Sequence, residues 1–287
     1  MKRTWFLSIL AAAALALIGC DKSTDAASDP ILEEDAATAI AGAISEDGGG
    51  AADQLADVAS ISTSGGLSAE VNLLDAAMST GAPSTIDTLF VPADTSYIFS
   101  INRSRANLTG TYVSLIYRMY YVKFINKNGT AQRRYIVSTP AGNDTARTML
   151  FRILYGRGYH RTPIRVHRLD SLAADWIVTN LNTPVVTVNG SYYRAGNDTL
   201  RTRNAERTHA NTFSATFTNV TRPRRALGGT ADAISGTISG TYTATITFAR
   251  GDLYKERSIN KTFTVELSGD DATVNMNGKR FRSTWRY

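Results

Sequence analysis

The chain has 287 residues, a formal net charge of +6, 43% hydrophobic residues and 20% charged ones. At roughly 100–200 residues per domain, that length allows one large domain or two small ones. The hydrophobic fraction excludes both a wholly disordered chain and a multi-span membrane protein, and a single cysteine excludes a disulfide framework or a cysteine-rich metal site.

Lys2 and Arg3 precede an uncharged, mostly apolar run from Trp5 to Ile18. The run is short of the ~20 residues that a membrane-crossing helix needs, so it reads as a secretory signal. It ends in Leu17-Ile18-Gly19-Cys20, which resembles the lipobox of bacterial lipoproteins. The resemblance covers residues 1–20 alone. It implies that residues 1–19 are removed, that the Cys20 thiol carries a diacylglycerol and that the new amino terminus is acylated. Because more than one acyl chain is needed for lasting anchoring, the implied partner of Cys20 is a membrane. The implied location is the cell envelope, with the outer membrane favoured over the inner.

Charge divides the rest. Asp21 to Phe90 holds 13 acidic residues and one basic, whereas Val91 to Tyr287 holds 12 acidic and 28 basic. Such asymmetry separates an acidic segment, 20–90, from a basic domain, 91–287. The acidic segment is rich in Ala, Gly and Ser and has no aromatic residue before Phe90, so it cannot build much of a core by itself. Asp29-Pro30 opens a helix, with Pro at its first position, and Gly48 to Gly50 stop it. Ile31, Leu32, Ala36, Ile40, Ala43 and Ile44 share one face. Leu55, Val58 and Ile61, then Leu67, Val71, Leu74 and Met78, repeat the spacing more weakly. Short helices are marginal alone, so the segment is expected to be either a partly disordered spacer or a set of helices docked on the protein's own body.

After Pro92 the composition favours strands. Ile238, Gly240, Tyr242, Ala244, Ile246 and Phe248 alternate with Thr and Ser, as do Phe213, Ala215 and Phe217, and Phe263, Val265 and Leu267 alternate with Thr and Glu. Each reads as a strand with one buried face. Thr111 to Ile125 is apolar on both faces and reads as a covered central strand. Asp170 to Asn180 fits a short helix or a strand. Asn128-Gly129, Asn189-Gly190 and Asn277-Gly278 signal hairpin turns, since Asn and Gly tolerate positive φ. Ala141–Thr148 matches Ala195–Thr202 at seven of eight positions, and Val186–Arg194 parallels Val274–Arg282, at different offsets. Unequal offsets argue against a propeller or solenoid and for a favoured turn sequence used twice. The expected fold is all-β, an antiparallel sandwich or a curved barrel-like sheet.

Catalytic motifs are absent: the sequence holds no nucleophile elbow, His-Glu-x-x-His pair, phosphate loop or dinucleotide fingerprint. His160, His167 and His209 match no metal-ligand spacing, and His160 and His167 are each followed by an arginine, as solvated residues are, so no metal, cofactor or catalytic residue is expected. Arginine is the unusual feature, with 23 Arg against 5 Lys in the basic domain. Its fork grips phosphate or carboxylate at two points. The clusters Arg133-Arg134 and Arg222, Arg224 and Arg225 are therefore candidate sites for an anionic polysaccharide or glycolipid. Others are Arg161-Arg165-Arg168, Arg201-Arg203-Arg207 and Arg280-Arg282-Arg286. Nucleic acid suits the charge but not an exported chain. A non-enzymatic structural or anion-binding role in the envelope is the leading expectation. The alternatives are a lipid carrier with an open apolar sheet face, and a hydrolase whose site forms only in three dimensions.

Overall fold

A computed structural model describes residues 30–44, 50–62, 84–106, 109, 111–203, 205–224 and 234–284. The apolar set Leu67, Val71, Leu74 and Met78, together with the signal region and Cys20, lies outside the described residues. Two helices, α1 (Pro30–Ile44) and α2 (Ala51–Ile61), precede the strands.

The strands form one large antiparallel meander. In order across the sheet they are β1 (Ser84–Val91), β2 (Ser96–Ala106), β3 (Val113–Ile125), β7 (Thr148–Arg161), β8 (Arg165–Thr179), β9 (Val185–Arg201), β10 (Glu206–Pro223), β11 (Ser235–Arg250), β12 (Leu253–Ser268), β13 (Asp271–Met276) and β14 (Lys279–Thr284). Between β3 and β7 the chain adds β4 (Ala131–Gln132), which pairs with β3, and a separate hairpin of β5 (Ile136–Thr139) and β6 (Gly142–Thr145). The end strands β1 and β14 do not pair with each other, so the sheet is open. The fold is all-β and antiparallel, as the alternation of Thr with aromatic and aliphatic residues implies.

One face of the sheet is the core. Tyr120, Phe151, Trp176 and Tyr192 follow one another across β3, β7, β8 and β9, with ring centroids 4.9, 5.8 and 5.9 Å apart. Phe213 on β10 continues the row at 5.9 Å, and Phe263 on β12 lies 4.9 Å beyond. Such ring pairs add ~0.5–1.5 kcal/mol each beyond the area they bury. Phe213, Phe217, Ile238, Tyr242, Phe263 and Val265 are all buried, as their alternation requires.

The helices pack on this inner face. Ile40 of α1 and Leu55, Val58 and Ile61 of α2 are fully buried, so the described acidic helices are part of the core. Asp57 of α2 takes a bond from Arg103 of β2 at 2.8 Å, while Gln54, three residues earlier, accepts from Tyr192 of β9 at 3.2 Å. β2 and β9 are four strand spacings apart, ~19 Å along the sheet, whereas a helix is only ~10–12 Å across. The sheet therefore curls around α2. The apolar face beneath the helices is filled by them.

Several local expectations resolve differently. β1 pairs with β2 along its whole length, Ser84↔Arg103 to Val91↔Ser96, so the sheet starts inside the acidic segment and not at residue 91. Asp170–Asn180 is strand, falling within β8 and its end. β3 is buried on its inner face, but its outer face is half-exposed, with Leu115 open to solvent. Asn128-Gly129 and Asn277-Gly278 do form turns, with φ of +79° at Gly129 and of +51° and +76° at Asn277 and Gly278. Asn189-Gly190 instead lies within β9, opposite the register shift between Phe217 and Val220 of β10. There Gly190 has φ +139°, and a Cβ would sit 2.0 Å from the Asp175 carbonyl oxygen, so the glycine serves a bulge and close strand approach. The repeated Gly-Asn-Asp-Thr segment is the second strand of a hairpin at β6 and mid-sheet strand in β9. The same residues therefore do not build the same loop twice.

Candidate functional site

The end of the sheet where the β7–β8 and β9–β10 hairpins turn gathers the polar side chains that the sequence leaves scattered. Cross-strand pairing sets Ser114, His160, His167, Asp198 and His209 in one row across β3, β7, β8, β9 and β10. Three histidines that share no sequence motif thus become neighbours by register alone.

The centre of that row is tightly bonded. His167 Nδ1 lies 3.0 Å from Asp198 Oδ1, and Arg165 reaches the same oxygen through Nε at 3.1 Å and Nη2 at 2.8 Å. Arg194 Nη2 is 3.2 Å from His167 Nε2, and its Nη1 donates to the Ala43 carbonyl near the end of α1 at 3.1 Å. A guanidinium can only donate, so in the neutral ring His167 Nε2 accepts and Nδ1 carries the hydrogen given to Asp198, while protonation puts a positive charge beside Asp198 and His160. Burial pushes the Asp198 carboxyl up, but the hydrogen bond and charge of His167 and the charge of Arg165 outweigh it and hold the group below the usual carboxylate range. His160 moves down because of burial and because of the charges of His167 and Arg165. Both ring nitrogens of His167 are engaged, so it is not poised as a general base. Among the described residues no group of three or more His, Cys, Asp or Glu is placed to hold a metal ion.

Beside this row, at the β7–β8 turn, is a pocket of about 490 Å³. Its polar lining comes from Thr111, Arg161, Thr162, Arg165, Thr199 and Arg201. The turn is closed by Thr162 N donating to the Arg165 carbonyl at 2.7 Å and is tied to β9 by Arg201 N donating to the Ile164 carbonyl at 2.8 Å. Arg165 spends Nε and Nη2 on Asp198, and Arg201 spends Nε on Glu206 Oε2 at 2.7 Å. With Arg161 they line the pocket as three guanidiniums against two carboxylates. Together with threonine hydroxyls this is a donor-rich surface for phosphate or carboxylate.

The arginines singled out in the sequence fall elsewhere. Arg133 and Arg134 are exposed, between β4 and β5 at the far end of β3, and the Arg133 guanidinium sits 4.7 Å from the centre of the Phe90 ring. Arg222 and Arg224 are 4% and 1% exposed, on the inner side of the protein and away from the pocket. Arg222 pairs with Val186 on the buried face of the sheet. Arg224 donates to the carbonyls of Ser62 at 3.0 Å and Leu181 at 2.7 Å, and to that of Thr183. Arg225 lies outside the described residues. The signal that points to the pocket is the Thr162-Pro163 turn between Arg161 and Arg165; the contribution of Arg201 needs the pairing of β8 with β9 and has no local signature.

Comparison with known family models, with curated proteins and with solved structures returns no match.

Proposed function

We propose that this chain is an exported envelope protein, held to a membrane by lipid at Cys20, whose sheet binds an anionic polysaccharide or glycolipid in the pocket of Arg161, Arg165 and Arg201. The convergence of those three guanidiniums with threonine hydroxyls carries the reading. The lipobox-like Leu17-Ile18-Gly19-Cys20 supports the anchor. The role is binding and not catalysis: His167, the histidine closest to a carboxylate, has both nitrogens committed to structural partners.

Titration of the full-length protein with galacturonate and with inorganic phosphate, at low and high salt, tests the pocket. Binding should occur and weaken as salt rises, because exposed charges are screened over ~10 Å at 0.1 M. Absent or salt-insensitive binding overturns it. For the anchor, Cys20→Ser should leave the precursor uncleaved and unlabelled by fatty acid; normal processing refutes the lipid.

A further inference from the structure

On the outer face of the sheet, the side chains of β3 and β7 that alternate with the buried set form a strip of tyrosine and arginine. Tyr121 pairs with Arg152, Tyr117 with Arg157, and Leu115 with Tyr159, and the register continues to Arg161 at the pocket. The Tyr117 and Tyr155 rings stand 5.8 Å apart at 63°. The guanidiniums of Arg157 and Arg152 lie 5.2 and 5.5 Å from the ring centres of Tyr155 and Tyr121. Tyr155 and Leu115 are 36% and 45% exposed. Arg152 has Asp175 at 3.2 Å, but among the described residues no carboxylate pairs with Arg157 or Arg161.

The geometry points to a linear acidic polysaccharide lying along this strip, with one of its carboxylates seated in the arginine pocket. The inference rests on the anionic-ligand reading and adds that the ligand is a polymer of acidic sugars. Shape is the first argument. At ~3.3 Å per residue the strip runs ~30 Å from Arg152 to Arg161 yet spans only two or three strands, ~10 Å. A long, narrow track fits a chain better than a globular partner, whose stable contact covers ~800 Å² a side. Chemistry is the second. Sugar rings offer apolar C–H faces to the tyrosines and carboxylates to the guanidiniums, and aromatic rings with arginines above them supply both within one contact. Position is the third, because Arg161 belongs to the strip and to the pocket alike.

The test compares galacturonate, long polygalacturonate and neutral dextran against the full-length wild-type protein, a strip variant (Tyr155→Ala with Arg157→Ala) and a pocket variant (Arg165→Gln with Arg201→Gln). Wild type should bind polygalacturonate at least about tenfold tighter than galacturonate, and dextran hardly at all. The strip variant should lose about tenfold in polymer affinity and keep galacturonate affinity; the pocket variant should lose both. Thermal melting tracks the fold, and if the double strip variant melts without cooperativity, Arg157→Gln alone should still weaken the polymer about threefold. Unchanged polymer binding by the strip variants overturns the inference and leaves the pocket standing. So does loss of a crosslinked protein partner with polymer affinity intact, which would assign the strip to a protein interface. Equal binding of dextran overturns recognition of acid. Failure of wild type to bind either acid overturns the pocket reading itself.

Discussion

Two sets of arginines use the same side chain for opposite ends. Arg118, Arg194, Arg222 and Arg224 point into the sheet and are 1–4% exposed. Arg118 holds Asp53 at 2.6 Å and Asp57 at 3.2 Å, and Arg224 bonds backbone carbonyls. Arg157, Arg161, Arg165 and Arg201 are open to solvent, with donors left over. Burying a guanidinium is costly unless it is paired, and Arg118 meets carboxylates of α2, Arg194 the Ala43 carbonyl of α1 and Arg224 loop carbonyls. Arginine clustering in sequence therefore says little about binding until the face of the strand is known. Strand parity separates Arg157 and Arg161, on the outer side of β7, from Arg118 on the inner side of β3, while Arg165 shares its side of β8 with His167 and Leu169 and is exposed at the end of the strand.

That contrast can be broken most severely at Arg118. Arg118→Met leaves Asp53 short of its closest cation and Asp57, which is 5% exposed, with Arg103 alone. Loss of one partner from such a buried group costs about 3–5 kcal/mol, read as a lower urea midpoint. Arg224→Met should cost less, about 1–3 kcal/mol, for carbonyls left without a donor. A midpoint shift in either variant no larger than that of an outer arginine would erase the distinction.

Acid titration sharpens the comparison. Burial pushes the Asp57 carboxyl up, but Arg103 and Arg118, with the Tyr120 hydroxyl donating at 2.5 Å, outweigh it and lower the group overall. A carboxyl lowered in the folded state adds stability that is present above its ordinary value near ~3.9 and is lost as pH falls toward the folded value. Stability should thus fall steeply below pH ~4, and less steeply in Asp57→Asn. His160 is also lowered on folding. Its contribution is present above the ordinary histidine value near ~6.5 and declines as pH drops through it; His160→Gln should flatten that part of the unfolding curve. The smallest effect belongs to the outside: Arg201→Gln, at an exposed ion pair, should change stability by less than about 0.5 kcal/mol.

Much of the fold is legible in sequence because its cause is local. Thr alternating with Ile, Tyr and Phe from Thr237 to Phe248 gives β11, and Asn277-Gly278 gives the turn between β13 and β14. What escapes depends on partners far along the chain. Asn189-Gly190 reads as a turn, yet β10 supplies a bulge opposite it and keeps the chain extended. Asp170 to Asn180 fits helix or strand by sequence alone, and β7 and β9 flanking β8 on both sides make it strand up to Thr179. The helices of the acidic segment are marginal alone and gain their stability from a sheet that begins after them. At the site, Arg161 and Arg165 are adjacent to a visible turn, but Arg201 and the histidine row appear only when β8, β9 and β10 come into register.

The most direct measurement is one protein, Arg165→Gln with Arg201→Gln, examined for melting and for polygalacturonate binding side by side with wild type. Melting within a few degrees of wild type, with binding reduced by tenfold or more, is the result expected if the pocket arginines serve a ligand and not the fold. Undiminished binding, or a collapse of stability comparable to that of Arg118→Met, would contradict the account.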